Sequence, residues 1–121
     1  MNPKTRPTIL LVGNDPTLRY LLGRFVEQSD YALAVVPVIN SAQEITEINP
    51  KAIIFLSTEH LEKTQPLIVE LDSLEVPIMV CSSVSEETRA RELGADYCLL
   101  HPLTYEDFQT TLALASASKH P

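Results

Sequence analysis

The strongest constraint on this chain is an alternation. Five short aliphatic runs are each followed by a turn signal and then by a segment of helical periodicity. Thr8-Ile-Leu-Leu-Val12 ends at Gly13-Asn14 and reads as a strand buried on both faces. Asp15-Pro16 follows, an N-cap residue and a residue suited to the first helical position. Leu18, Leu21, Leu22, Phe25 and Val26 then recur at i, i+3, i+4, i+7 and i+8, one apolar stripe that Gln28-Ser29-Asp30 interrupts.

The grammar repeats along the chain. Ala32 to Val36 is a second strand, and Ser41-Ala-Gln-Glu44 has the form of a capping box ahead of Ile45 and Ile48. Asn49-Pro50 closes that helix. Ala52 to Leu56 is a third strand. Ser57 to Gln65 is polar and is expected as a loop or irregular helix start, with Pro66 opening a helix that carries Leu67, Ile68, Leu71 and Leu74. Pro77 to Cys81 is a fourth strand, followed by a second capping box, Ser83-Val-Ser-Glu86, and by Gly94 at the helix C′ position. Tyr97 to Leu100 is a fifth strand. Thr104-Tyr-Glu-Asp107 caps a last helix with Phe108, Leu112 and Ala115 on one face, and Ser116 to Pro121 is expected as a frayed polar tail.

Strands that alternate with helices need crossover connections, which make the sheet parallel. The expected fold class is α/β: a five-stranded, flavodoxin-like parallel sheet of order 2-1-3-4-5 with helices on both faces. The 121 residues fit one domain, residues 1–121 with a core of about 8–115. A chain of this length buries about two thirds of its unfolded surface, so neither a disulfide nor a metal is required to hold it.

Charge narrows the function. Asp plus Glu number 16 against 9 Lys plus Arg, a formal charge of −7. That excess disfavours nucleic acid and anionic membranes as partners, since both need clustered cations. The longest apolar runs are far too short to span a bilayer. The basic stretch Met1 to Pro7 lacks the apolar segment and cleavage site of a signal peptide, so the expected compartment is the cytoplasm.

In an open α/β sheet, ligands sit beyond the carboxyl ends of the strands at the switch point. The candidate positions are Gly13, Asn14 and Asp15 after the first strand, Leu56 to Glu59 after the third, Ser82 and Ser83 after the fourth, and His101-Pro102 after the fifth. Asp15 is read as a helix cap, because one carboxylate is a poor magnesium site. A Ser57 nucleophile needs a base; His60 is the candidate, although a solvated loop residue is the expectation for it. His101 is expected in a strand-end turn ahead of a cis proline rather than as a pH-responsive contact. Cys81 and Cys98 are expected as buried thiols; a metal site formed with His101 lacks a fourth ligand.

Three segments carry a resemblance. Thr8-Ile-Leu-Leu-Val-Gly-Asn-Asp-Pro-Thr-Leu-Arg19, Pro77-Ile-Met-Val-Cys-Ser-Ser83 and Gly94-Ala-Asp-Tyr-Cys-Leu-Leu-His-Pro102 resemble, in order and spacing, the receiver domains of response regulators. The resemblance spans roughly Thr8 to Ala115. It implies a domain that accepts a phosphoryl group from a phosphohistidine onto its own aspartate. Two acidic residues after the first strand and the acceptor after the third hold Mg²⁺, while a Ser/Thr after the fourth strand and a Lys after the fifth bind the phosphoryl oxygens. Phosphoryl transfer depends on such positioning and charge neutralisation.

This chain departs from that pattern. Gly13 and Asn14 stand at the acidic pair and Leu56 at the acceptor, or Ser57 if the alignment slips by one residue. Ser82 keeps the hydroxyl, His101 replaces the Lys, and Cys98, beside Tyr97, falls where the family carries its reporting aromatic. The resemblance therefore implies a pseudo-receiver. Its function would be contact with a protein partner (a histidine kinase, an output domain or a second copy of the chain) without aspartyl phosphorylation. The family's partner surface is the fourth helix, fifth strand and fifth helix, here about Ser83 to Ala115, with Arg89, Arg91, Tyr97, Cys98 and Tyr105 as candidate contact or switch positions. No enzymatic activity, cofactor or metal is expected. The alternatives are an atypical acceptor at Ser57 and a flavodoxin-like binder of a small ligand.

Overall fold

All five aliphatic runs pair as neighbouring strands of one sheet in the computed structural model, which describes residues 6–118. The strands β1 (Thr8–Val12), β2 (Ala32–Val36), β3 (Ala52–Phe55), β4 (Ile78–Ser82) and β5 (Tyr97–Leu100) take the order β2-β1-β3-β4-β5. Every pair is parallel; Val12 lies beside Phe55, Phe55 beside Val80, and Val80 beside Cys98. This is the flavodoxin-like order expected from the alternation.

Period-two side-chain alternation explains the two cores. Ile9, Leu11, Ile54, Met79, Cys81 and Leu99 face α1 (Pro16–Gln28) and α6 (Tyr105–Ser118), where Leu22, Val26, Phe108 and Leu112 meet them. Leu10, Val12, Ile53, Phe55 and Val80 face the other way, toward α2 (Ala42–Ile48), α3 (Thr58–Lys63), α4 (Gln65–Ser73) and α5 (Glu87–Glu92). Ile45, Leu61, Ile68, Leu71 and Ala90 close that side. With both faces covered, the central strands can be aliphatic throughout.

Several boundaries differ from the sequence expectation. Of the loop or irregular helix start expected after β3, it is a helix that forms, from Thr58, so two helices stand where Pro66 was expected to open one. Ser57 caps α3 through its side chain, and Thr64 both ends α3 and precedes α4, with Pro66 in the first turn of α4. A six-residue helix with one inward apolar residue, Leu61, is too short to display a period. The Ser83 box closes a single 3-10 turn, Val84–Glu86, rather than the first turn of α5. There the Glu86 carboxylate accepts from the Ser83 backbone N–H at 3.5 Å and from its hydroxyl at 3.3 Å. The last helix runs to Ser118, beyond the expected start of the tail at Ser116. Residues 119–121 of that tail, and residues 1–5, lie outside the described residues.

Left-handed backbone ends the helices at the amino end of the sheet. Asp30, Asn49 and Glu75 have φ of 69°, 53° and 60°. After α5 the same job falls to Gly94, at φ 112°: its N–H donates to the Arg91 carbonyl and the Ala95 N–H to the Ala90 carbonyl, both at 3.1 Å. Those two bonds form a Schellman motif.

Candidate functional site

The loops that leave β1, β3, β4 and β5 converge at the carboxyl end of the sheet. Gly13 donates its N–H to the Val36 carbonyl at 3.0 Å, and Leu56 donates to the Val12 carbonyl at 2.9 Å, so both ladders continue one residue past their strands. The two residues then meet. A Cβ at Gly13 would lie 2.9 Å from Leu56 Cβ and 3.1 Å from its Cγ and Cδ1. Gly13 also has φ 139°, a conformation open to glycine and strained for other residues. Leu56 is only 3% exposed and belongs to the core facing α1 and α6. A leucine side chain thus fills the cleft between β1 and β3.

The polar residues around this plug are occupied with the fold. Asn14 and Asp15 are exposed, and Asp15 Oδ1 accepts from the Leu18 N–H at 3.1 Å, the helix cap expected for it. His101 is exposed, its N–H donates to the Ser82 carbonyl at 3.2 Å, and the His101–Pro102 peptide is cis, as expected of that turn. Burial pushes the Cys81 thiol up to about 12, with the Asp15 carboxylate adding to the rise. That thiol stays protonated near neutrality and is inert as a ligand or nucleophile. Cys98 departs from the expectation of a buried thiol. It is half-buried, because β5 is an edge strand; burial still raises its thiol, offset in part by the Ser82 hydroxyl and Arg91.

Two hydroxyls are buried: Thr58 Oγ1 has no hydrogen-bond partner among the described residues, and the partner of Ser82 Oγ is the Cys98 thiol. Ser57, by contrast, is fully engaged: its Oγ accepts from the His60 backbone N–H at 3.1 Å and lies 2.7 Å from His60 Nδ1. His60 is therefore not the solvated loop residue expected of it. It sits in the first turn of α3, half-buried, with its imidazole folded back on the cap. A Ser-x-x-His spacing at a helix start was the available signal.

These residues do not fit a divalent cation. Gly13 offers no side-chain ligand, Leu56 offers carbon, and among the described residues no group of three His, Cys, Asp or Glu is arranged to hold a metal ion. Mg²⁺ requires several hard oxygen ligands. A concavity of about 400 Å³, lined by Pro7, Tyr31, Lys51, Glu75 and Pro77, opens at the opposite, amino end of the strands and is remote from this chemistry.

No family model and no curated protein matches the chain. Among solved structures it is similar to the receiver domain of the sensor histidine kinase PA1611 from Pseudomonas aeruginosa PAO1, which has a magnesium ion coordinated in its active site cleft. Identity is 16% over 94% of this chain and 100% of that one, with a TM-score of 0.78. It is similar also to the non-phosphorylated HemR receiver domain of Leptospira biflexa, at 22% identity over 96% and 98% of the two chains and a TM-score of 0.72. The chemotaxis protein CheY4 of Vibrio cholerae matches at 14% identity over 92% and 99%, with a TM-score of 0.71. The chain has the receiver-domain fold.

The contact surface expected from the sequence resemblance falls on α5, β5 and α6. Its named residues are partly committed within the molecule. Arg89 pairs with Glu62 of α3 at 2.6 Å; Arg91 pairs with Glu87 at 3.3 Å and donates to the Asp96 carbonyl at 3.1 Å. Tyr97 donates its hydroxyl to the Leu114 carbonyl at 3.3 Å. Tyr105 turns toward α1, its ring 5.4 Å from that of Phe25 and its hydroxyl accepting from Gln109 at 3.1 Å and Ser29 at 3.5 Å. Tyr105 is thus a packing residue between two helices. Val84 and Leu114 stand more exposed on this side of the molecule, at 69% and 55%. No helix among the described residues is long and apolar enough to cross a membrane.

Proposed function

We propose that this chain is a receiver-type signalling domain of a two-component system that acts through protein contacts, in the cytoplasm, without aspartyl phosphorylation. One observation carries the reading: Leu56 lies on Gly13, so the cleft that needs an acceptor carboxylate and a metal ion holds packed hydrocarbon instead. The Ser57 side chain is turned into the α3 cap, which supports Leu56 rather than Ser57 as the residue at the acceptor position. A neutral, close-packed cleft cannot neutralise a transferring phosphoryl group. What the fold retains is its surface, and a histidine kinase, an output domain or a second copy of the chain is the expected partner, on α5, β5 and α6.

Beryllofluoride with Mg²⁺ tests this directly, because it mimics an aspartyl phosphate only where both a carboxylate and a metal site exist. Amide spectra recorded through a titration should stay unchanged at Gly13, Leu56 and Ser82. Saturable shifts at those residues would overturn the reading.

A further inference from the structure

We infer that the free edge of β2, with the flank of α1 that packs on it, is a self-association surface. A second copy of the chain pairs its β2 antiparallel with this one across a twofold axis. The inference goes beyond the reading above, which puts partners on α5, β5 and α6 at the other edge of the sheet, and it does not depend on that reading.

Backbone directions define the edge. Ala32 donates its N–H to the Pro7 carbonyl at 2.8 Å, and the Val36 carbonyl accepts from Gly13 at 3.0 Å. Ala32, Ala34 and Val36 therefore turn their peptide groups to β1, and Leu33 and Val35 turn theirs outward, where the sheet ends. Edge strands are commonly guarded by a charge, a proline or a bulge. The sequence Ala-Leu-Ala-Val-Val of β2 has none of these, and it pairs with β1 without a break in register. Leu33 is 36% exposed, and Val38, just beyond the strand, is 50% exposed.

A second copy fits this edge by construction. With the axis at Ala34, Leu33 of each chain forms a hydrogen-bonded pair with Val35 of the other, so all four outward N–H and C=O groups of each strand are satisfied. Ala34 then faces Ala34 in the close, non-hydrogen-bonded position, and Ala32 faces Val36. No charge is buried and no two large side chains collide.

The helix flank supplies charge complementarity about the same axis. Arg19, Gly23 and Glu27 follow at i, i+4 and i+8 and so share one row of α1. That row meets β2 at its centre, since a Cβ at Gly23 would lie 3.2 Å from Leu33 Cδ2. An axis through Ala34, the next residue, therefore passes beside Gly23, midway between Arg19 and Glu27. It sets the two α1 helices antiparallel on one face of the joined sheet and brings Arg19 of each toward Glu27 of the other. Both side chains are exposed, and neither is in an ion pair among the described residues.

Sedimentation equilibrium of the full chain over a concentration series tests this, with amide hydrogen exchange read by NMR across the same series. The expected result is a reversible monomer–dimer equilibrium in which the Leu33 and Val35 amides gain protection as the dimer forms. Arg19→Glu and Glu27→Arg should each weaken the dimer about 10-fold, and the double variant should recover it. Both positions are exposed, and far-UV circular dichroism checks that each variant folds. A chain that stays monomeric would overturn the proposal. So would a dimer in which Leu33 and Val35 exchange as freely as in the monomer, or one indifferent to the charge reversals. Protection of those two amides only on adding a histidine kinase would give the edge to that partner and equally overturn it. The beryllofluoride titration reads the cleft alone, so either proposal can fail while the other stands.

Discussion

Truncating Leu56 and filling Gly13, singly and together, measures the plug. Leu56 is 3% exposed, so Leu56→Ala removes a fully packed side chain and should cost about 3 kcal/mol, within the range for buried leucines. Gly13→Ala adds two penalties. At φ 139° the new residue carries backbone strain of about 1–3 kcal/mol. Its Cβ also arrives 2.9 Å from Leu56 Cβ and 3.1 Å from Cγ and Cδ1, an overpacking cost of about 1–3 kcal/mol. In the double variant Cγ and Cδ1 are gone, and the remaining alanine yields more easily, so part of the overpacking disappears. The double variant should therefore be less destabilised than the sum of the singles, by about 1 kcal/mol. Urea unfolding followed by far-UV circular dichroism, with the slope checked for constancy across the four proteins, supplies the cycle. Costs that add to within about 0.3 kcal/mol, as for distant sites, would refute the contact on which the proposed function depends.

Two further outcomes follow from the same geometry and electrostatics. Glu75 holds φ 60°, where a side chain costs roughly 1–2 kcal/mol and glycine, despite its own entropy penalty of roughly 0.5–1, is the better occupant; Glu75→Gly should raise stability by about 0.5 kcal/mol, and a lowered thermal midpoint would contradict this. The Cys81 thiol rises from 9.0 unfolded to about 12 folded, so the folded state binds the extra proton between those values and stability must fall as pH rises from 9.0 toward 12. Cys81→Ala should flatten that alkaline slope in a pH series of urea midpoints; an unchanged slope would show that burial of this thiol is not its source.

The sheet was legible because its signal is redundant. Each strand is four or five residues long and mostly apolar, and the longer helices repeat their apolar positions, so single errors do not alter the order β2-β1-β3-β4-β5. Boundaries moved by a residue: β3 ends at Phe55 rather than Leu56, and β4 runs Ile78–Ser82 rather than Pro77–Cys81, Pro77 having no N–H to give a ladder. The site was legible as a set of absences, since a missing carboxylate can be read from one letter. What fills the space cannot. Leu56 meeting Gly13 depends on a φ of 139° and a cross-strand approach, and the Ser57–His60 pair depends on a short helix that periodicity cannot register. Arg89 and Glu62, 27 residues apart, join only once α3 and α5 are neighbours.

The plug also constrains what it would take for such a cleft to support aspartyl chemistry. An acidic cluster without its cation repels itself, whereas a buried leucine stabilises by about 1.5–3 kcal/mol, so in the absence of a cation packing favours the hydrocarbon. Introducing a carboxylate at Leu56 alone would place it against Gly13 with no second acid to share a metal ion. Introducing an acid at Gly13 is harder, because φ 139° excludes an unstrained aspartate and Leu56 occupies the space its Cβ would need. Backbone and side chain therefore oppose an acidic pair independently, and both must change before a cation could be held. A Leu56→Asp variant should accordingly lose stability without gaining a Mg²⁺-dependent shift in its thermal midpoint. A midpoint that rose saturably with Mg²⁺ in that single variant would show that the cleft needs only a carboxylate, and that the glycine conformation is a consequence of the leucine rather than a second lock.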